Sequence, residues 1–253
     1  MIPQVPYCGA VPLPGELLTR FNLDPPLVLA LCMLCACHLI ALGKDRGGAA
    51  GHYRLYAFGG WLVASAALLS PLCALSVALF SARIAQHMVL VLVAAPLIAA
   101  GLPRTHLSTK SWPLWGACAI FFLALWFWHM PVPYDATFTS VSVYWTMHLT
   151  LFGSGILLWR ELLYHSPRQT AQALAAGTLT FVQMGLLGVV LAFAQRPLFQ
   201  WHFLTTAAWG LTPLQDQQLG GTLMWVPGIV LFLWTAIRSI DRMWKSMERE
   251  RPA

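Results

Sequence analysis

The chain has 253 residues, of which 58% are hydrophobic and only 9% are charged, and its formal net charge is +6 at neutral pH. A soluble domain typically carries about 25% charged residues, so this composition excludes an ordinary soluble globular protein. The apolar residues come in long blocks, which predicts an all-α polytopic membrane protein with a single domain, residues 1–253.

Seven apolar stretches follow one another along the chain, at residues 27–42, 55–79, 83–100, 113–130, 144–163, 171–194 and 220–237. The proline-rich residues 1–26 lack the pattern of a cleavable signal peptide and predict an external lead-in. Residues 27–237 would then form a seven-helix bundle, followed by a basic tail, residues 238–253. Pro71 is expected to kink or break the second stretch. The connection 195–219 is expected to lie on the membrane face as a short interfacial or re-entrant piece.

Basic residues are distributed very unequally between the two sides of these stretches. One side receives three of the 15, namely Arg20, Arg83 and Arg196. The other side receives Lys44, Arg46, Arg54, Arg104, Lys110, Arg160, Arg168, Arg238, Arg242, Lys245, Arg249 and Arg251. Because positive loops stay in the cytoplasm, we expect an external N-terminus and a cytoplasmic C-terminus in a bacterial inner membrane. The positive charge thus fixes orientation in the lipid bilayer, and no nucleic-acid partner is expected.

Three histidines should converge at the outer side of this bundle. His87 begins the third stretch from outside, His129 ends the fourth, and His148 begins the fifth. Polar groups so close to hydrocarbon are costly and usually functional. Each histidine has a methionine neighbour, and imidazole with thioether ligands suits copper, especially Cu(I); these are Met88, Met130 and Met147. The alternatives are hydrogen-bonded interfacial histidines and methionines that fill gaps in the bundle.

Further polar residues lie at the same predicted depth. Arg83 shares a helix face with His87, and a guanidinium beside a metal favours an anion or a carboxylate partner. Asp216 is expected to pair with Arg83 or with a ligating histidine, and is itself a candidate ligand, with Asp135 as the alternative carboxylate. Gln217 and Gln218 would support the site, and His202, in the same external connection, is a weaker candidate.

The remaining motifs favour no catalytic chemistry. The six cysteines predict no disulfide framework, because five lie in apolar stretches, where cysteine behaves as a small hydrophobe, and only Cys8 is external. Cys32, Cys35 and Cys37 could bind a soft metal but lie away from the histidines. The sequence has no P-loop, dinucleotide-binding glycine motif, HExxH motif or nucleophile elbow. We therefore do not expect an enzyme.

Three blocks of sequence, in order, carry a resemblance. The first runs from Gln86-His87-Met88 to Gly101-Leu102-Pro103. The second contains Trp128-His129-Met130-Pro131 and His148-Leu149, and the third is Asp216-Gln217-Gln218-Leu219-Gly220-Gly221 followed by Met224-Trp225-Val226-Pro227-Gly228. Together they cover roughly residues 80–230 and resemble the CtaG-type cytochrome c oxidase assembly proteins, although a typical member has histidine where this chain has Arg83.

The resemblance implies a role in maturing a haem–copper cytochrome c oxidase at its copper centres, with copper as the bound metal. It implies oxidase subunits or a periplasmic copper donor as partners. The family's histidines carry over to His87, His129 and His148. Two other functions stay open: an intramembrane b-type haem protein with two histidines as axial ligands, and a metal-free scaffold that docks oxidase subunits.

Overall fold

The computed structural model describes residues 5–43, 50–102, 112–165 and 169–250, and these contain ten α-helices and no strand. The helices are α1 (Pro25–Gly43), α2 (Ala50–Leu69), α3 (Pro71–Ala78), α4 (Phe80–Met88), α5 (Ala95–Gly101), α6 (Trp112–Trp128), α7 (Pro131–Thr139), α8 (Val141–Leu163), α9 (Thr170–Ala192) and α10 (Pro213–Glu250). A π-helical segment, Val89–Ala94, joins α4 to α5, and 3-10 helices occur at Pro14–Thr19, Gln200–Phe203 and Ala207–Trp209. Several basic residues used above to predict orientation lie outside the described residues, namely Lys44, Arg46, Arg104, Lys110, Arg168 and Arg251.

Length and hydropathy identify the helices that could cross a membrane. Five runs qualify alone: α1, α4 with α5, α8, α9 and most of α10. Two bent pairs also qualify, α2 with α3 at an angle of 49° and α6 with α7 at an angle of 74°. The described residues thus hold five candidate spans, or up to seven if each bent pair is one span. The predicted helical, multi-pass architecture is confirmed at this level.

The bends have local causes in the sequence. Ser70 has an extended backbone and accepts a hydrogen bond from the Leu72 N–H, so α3 begins anew at Pro71, where a missing N–H costs nothing. The break predicted at Pro71 is confirmed. Met130 is likewise extended and Pro131 starts α7, a helix that the sequence analysis did not predict. Both bends turn the chain across one end of the bundle.

The run from Phe80 to Gly101 is the most buried of the candidate spans. Its π-helical turn precedes Pro96, which has no N–H to continue the α-helical hydrogen bonds. Glycines allow α2 to pack directly on α5: a Cβ on Gly101 would lie 2.8 Å from the Ala57 backbone N, and one on Gly60 2.8 Å from the Ile98 backbone N. This central run carries Arg83 and His87.

Helix α10 is longer than predicted at both ends. It starts at Pro213 rather than at residue 220, and it continues without interruption past residue 237, where the tail was predicted to begin. Gly220 and Gly221 allow its close approach to neighbouring helices, since added Cβ atoms would lie 2.5 Å from the Phe80 ring and from the Ala192 backbone N, respectively. Helix α10 therefore packs tightly on α4 and α9.

A layer of short elements covers the end of the bundle that carries the three histidines. We call this layer the cap and define it as residues 5–24, α3, α7 and residues 193–212. The Trp201 indole donates to the Val77 carbonyl over 3.0 Å and stacks on the Phe138 ring at 4.5 Å, which joins three parts of the cap. The connection predicted to be a short interfacial or re-entrant piece is thus packed on α3 and α7, and its position on the membrane face stays a prediction.

A disulfide joins Cys8 to Cys73, with 5.4 Å between the Cα atoms. The prediction that the cysteines form no disulfide is therefore wrong for this pair. The physical reason is the bend at Pro71, which turns Cys73 out of the second apolar stretch and into the cap, beside the N-terminal segment. Among the described residues, Cys32, Cys35, Cys37 and Cys118 are free thiols.

Candidate functional site: a buried histidine cluster

The cluster consists of His87 on α4, His129 at the break between α6 and α7, and His148 on α8. The His87 ring lies between the other two, with centroid distances of 5.8 Å to His129 and 5.4 Å to His148. All three are buried, with 3%, 4% and 4% of their surfaces exposed, respectively. The structure thus brings together the histidines that the sequence predicted to converge. Their role as metal ligands stays a prediction.

Backbone carbonyls fix the tautomers of two of these rings. The Leu125 carbonyl lies 2.6 Å from His129 Nδ1 and the Tyr144 carbonyl lies 3.0 Å from His148 Nδ1. A carbonyl can only accept, so each Nδ1 carries the proton and each Nε2 presents a lone pair. Neither Nε2 has a hydrogen-bond partner among the described residues, and the same holds for both nitrogens of His87. A histidine that binds a metal through Nε2 usually donates its Nδ1–H to a carbonyl or carboxylate, which fixes the ring in this tautomer.

The ring spacing is compatible with a shared ion. In a metal site the imidazole nitrogen lies about 2 Å from the ion, which places two ligating rings roughly 5 Å apart between centroids. As the side chains stand, no group of three or more His, Cys, Asp or Glu residues in the described part of the chain has the arrangement of a metal site. Binding therefore requires at least one ring to turn. His87 can turn without losing any hydrogen bond in the structure, since neither nitrogen makes one.

The three methionines have different environments. Met88 and Met147 are buried in the main apolar core, as gap-filling methionines are. Met130 is 49% exposed and immediately precedes α7. In the described part of the chain, none of the open nitrogens of the three histidines has a methionine sulfur as a hydrogen-bond partner. A thioether contribution to a metal site therefore stays a prediction.

Arg83 lies one helical turn before His87 and is completely buried. Its Nη1 donates to Thr137 Oγ1 over 2.7 Å, and its guanidinium carbon lies 4.1 Å from the centroid of the Phe138 ring. Tyr134 and Tyr144 flank it, each with a ring centroid 5.6 Å away. The cation is thus enclosed by aromatic rings rather than by carboxylates.

Asp216 does not pair with Arg83 or with a histidine, so that prediction is wrong. Its carboxylate accepts from the backbone N–H of Phe80 over 2.6 Å, and from the backbone N–H and hydroxyl of Ser81. These N–H groups begin α4, whose N-cap residue Leu79 supplies no side-chain cap. A carboxylate at a helix N-terminus is favourable, which explains why Asp216 binds there. It supports the site by fixing the helix that carries Arg83 and His87.

The other predicted supporting residues also bind backbone groups. Asp135 accepts from the backbone N–H groups of Gln200 and Trp201, over 3.2 and 3.4 Å, and so caps the 3-10 helix there. Gln217 accepts from the Leu198 N–H over 2.7 Å and donates to Leu191, and Gln218 donates to Ala194. The Asp-Gln-Gln motif therefore ties the start of α10 to α4, to the end of α9 and to the cap.

Sequence reasoning missed Tyr144, which is central to this region. Its ring stacks against His148 with 4.2 Å between centroids, and its hydroxyl lies 3.3 Å from the Cys8 sulfur. The disulfide is therefore separated from the histidine cluster by one aromatic ring. The available signal was spacing, because residues 144 and 148 are one helical turn apart.

His202 lies in the cap and belongs to a separate hydrogen-bond network. Its Nε2 lies 2.8 Å from the Tyr134 hydroxyl, and its Nδ1 lies 3.2 Å from the Ala78 carbonyl. Burial, followed by the positive charge of Arg83, lowers the pKa of His202 to about 3. The ring is therefore neutral near pH 7, with both nitrogens engaged. This arrangement is structural, unlike that of the three clustered histidines.

Two crevices lie near the site, and one of them has a histidine of the cluster in its wall. One, of about 370 Å³, lies between α1 and α8 and is lined by His148, Trp145 and Tyr7, among largely apolar residues. The other, also about 370 Å³, lies between the N-terminal segment and the junction of α7 with α8, and Phe138 forms part of its wall. A small solute could approach the cluster through the first crevice, whereas none of the three histidines lines the second.

Comparisons with known proteins identify the family. Residues 36–246 match the family described as cytochrome c oxidase caa3 assembly factor (Caa3_CtaG), which is well over half of the chain. No curated protein and no solved structure gave a significant match. The matched region contains all three histidines, Arg83 and the Asp-Gln-Gln motif. The chain therefore belongs to the cytochrome c oxidase caa3 assembly factor family.

Proposed function

We propose that this protein assists the maturation of a copper centre in a haem–copper cytochrome c oxidase by holding copper at His87, His129 and His148. The observation that carries the proposal is the set of unpartnered imidazole nitrogens. Buried polar atoms without partners are uncommon and call for an explanation such as an ion. Two of the rings are already fixed in the tautomer that a ligand needs. Copper bound there would be cargo for the oxidase rather than a reactive centre.

The ligand set favours Cu(I). Because Asp216 binds the start of α4 instead, the cluster offers neutral imidazoles. A buried ion without charged ligands is costly, and the cost rises with the charge of the ion. Imidazole and thioether ligands are suited to the singly charged, soft Cu(I) ion. An open site of this kind can release the ion to a partner.

The proposal places the cap on the external face of a bacterial inner membrane. The disulfide between Cys8 and Cys73 supports this placement, since disulfides persist in oxidising compartments. The distribution of basic residues along the sequence supports it independently. Copper would then reach the cluster from outside, and the partners would be oxidase subunits or a periplasmic copper donor.

The test is a Cu(I) competition titration of the purified protein under anaerobic conditions. We expect one Cu(I) per chain in the wild type and loss of this binding in the double variant His87→Ala/His148→Ala. His52→Ala, at an exposed histidine on α2, is the matched control and should bind normally. A metal-free wild type would favour the docking scaffold. A strong haem absorption band in the purified protein would favour the haem protein.

In cells, loss of the protein should lower cytochrome c oxidase activity, and added copper should partly restore it. The double histidine variant should behave like the deletion. Replacing Cys32, Cys35 and Cys37 together by serine should have little effect. If the cysteine variant abolishes assembly and the histidine variant does not, the copper route runs through α1 and the proposed site is wrong.

A further inference from the structure

Arg83 is a buried cation for which the described chain provides no counter-ion. None of its surface is exposed, and only Nη1 has a hydrogen-bond partner, the Thr137 hydroxyl. Nε and Nη2 have no partner in the described residues. Aromatic faces stabilise a cation only modestly, whereas an unpaired buried charge is expensive. The three rings around Arg83 therefore do not account for its burial.

The seven carboxylates whose side chains the structure describes are all engaged elsewhere. Asp216 and Asp135 bind backbone N–H groups, and Asp24 accepts from the Tyr7 hydroxyl. The other four contact residues on their own helices or segments: Glu16 contacts Arg20, Glu161 contacts Arg160, Asp241 contacts Lys245, and Glu248 contacts Trp244. No described acidic side chain lies within 4.0 Å of Arg83.

The two open groups of Arg83 have a specific geometry. Nε–H and Nη2–H lie on the same edge of the planar guanidinium and point in parallel. This fork matches the two oxygens of one carboxylate, which it binds with two charge-assisted hydrogen bonds. The Thr137 hydroxyl accepts from Nη1 on the opposite edge of the guanidinium, and the Phe138 ring packs against its face. The two open N–H groups are therefore already oriented. We propose that Arg83 binds a carboxylate, and that this carboxylate does not belong to the described part of the chain.

A crevice of the cap lies one aromatic ring away from Arg83, so a carboxylate that enters it would reach the fork once the Phe138 side chain turns aside. The crevice between the N-terminal segment and the α7–α8 junction has Phe138 in its wall, and Arg83 stacks on that ring. The carboxylate comes either from a small solute or from an acidic side chain of a protein partner. Where copper binds as proposed above, the carboxylate would neutralise Arg83 and favour a cation at His87, one turn away.

The experiment uses the full-length protein in detergent after treatment with a chelator, so that no copper is present. Sodium formate is added, and the unfolding midpoint is compared with that in sodium chloride of equal ionic strength. We expect a saturable increase with formate, because a ligand that binds only the folded state stabilises it. Transfer of saturation from protein protons to ¹³C-formate, measured by NMR, reports binding without relying on stability.

Substitutions distinguish the contribution of the two parallel N–H groups of Arg83 from the contribution of its positive charge. Arg83→Lys keeps the charge but loses the fork, and should weaken formate binding at least tenfold. Thr137→Val leaves the guanidinium present but frees its opposite edge, and should weaken binding severalfold. Arg20→Gln removes a half-buried arginine of the cap and is the control, with unchanged binding. If Arg83→Lys does not fold, formate binding by Thr137→Val and by the wild type, measured by NMR, tests the proposal instead.

The outcomes are distinct. Equal effects of chloride and formate, no binding to the wild type, or unchanged binding in Arg83→Lys and Thr137→Val would each overturn the proposal. Tighter binding of N-acetylaspartate N-methylamide than of formate would assign the carboxylate to a protein side chain, and the reverse would assign it to a solute. Because copper is absent throughout, formate binding can fail while Cu(I) binding succeeds, and the converse also holds.

Discussion

Among the buried histidines, the number of satisfied ring nitrogens separates structural residues from candidate ligands. His38 accepts from the Trp61 indole over 3.1 Å, and its other nitrogen lies 3.1 Å from the Gly101 carbonyl. His202 is equally complete. His87 makes no hydrogen bond, and His129 and His148 make one each through Nδ1. All of these histidines are buried, so burial does not distinguish the candidate ligands. They are distinguished by ring nitrogens that have no hydrogen-bond partner among the described residues.

At Asp216 we expect the substitution Asp216→Asn to lower the free energy of unfolding by about 2 kcal/mol, the cost of losing charge-assisted hydrogen bonds to buried donors. The amide can still accept through one oxygen, but its NH₂ group would face donors at the start of α4. The measurement is the unfolding midpoint in detergent, with oxidase activity in cells alongside. Asp135→Asn is the matched control and should cost less, since Asp135 is only partly buried and its contacts are longer.

A greater loss of stability in Asp135→Asn than in Asp216→Asn would contradict the assignment of Asp216 as the cap of α4.

The sequence analysis singled out Asp216 but assigned it the wrong partner. Opposite charges at the same predicted depth suggested an ion pair with Arg83. The actual partners are the backbone N–H groups of Phe80 and Ser81, 136 and 135 residues away, with the Ser81 hydroxyl, and no sequence pattern identifies such donors. The depth of the histidines was predictable, because it follows from where each apolar stretch begins or ends.

The helices show which structural features hydropathy can predict and which it cannot. The apolar stretches predicted the positions of the main helices, and Pro71 predicted the position of one bend. Helix α7 was missed because it is short and lies where a connection was expected, although Pro131 at its first turn is a helix-start signal. The extension of α10 was missed because its ends are polar, and hydropathy follows the lipid-facing part of a helix rather than its full length.

At Gly221 we expect Gly221→Ala to lower the free energy of unfolding by roughly 2 kcal/mol, as overpacking does. The new Cβ would lie 2.5 Å from the Ala192 backbone N and 2.6 Å from the Gly188 carbonyl oxygen. Backbone atoms cannot move aside, so α10 must shift away from α9. Gly153→Ala on α8 is the control, because its Cβ would meet no atom within 4 Å, and it should be neutral or slightly stabilising. Thermal unfolding of the two variants compares them directly, and equal midpoints would show that the helices are not in close contact here.

At the scale of the whole molecule, the cap determines access to the histidine cluster. Tyr7 stacks on Tyr144 with 4.9 Å between centroids, and Tyr144 in turn packs against His148. The disulfide holds this segment in place beside the same ring. The break at Pro71 was predicted, but the pairing was not, because hydropathy assigned Cys73 to an apolar span and does not show in which direction the chain turns after the break. The cap and the cluster therefore form one unit, and the state of the disulfide should influence both.

The double variant Cys8→Ser/Cys73→Ser should lower the free energy of unfolding by as much as about 4 kcal/mol, because the bond closes a loop of 65 residues in the unfolded chain. Thermal unfolding measures this loss, and Cys118→Ser, at a buried free cysteine, is the control. In spheroplasts, a cysteine introduced at Val132, an exposed residue of α7 in the cap, should react with an impermeant maleimide, since the cap is proposed to face outward. Labelling only after the membrane is opened would place the cap in the cytoplasm, where disulfides do not persist. That result would reverse the orientation and remove external copper as the source for the histidine cluster.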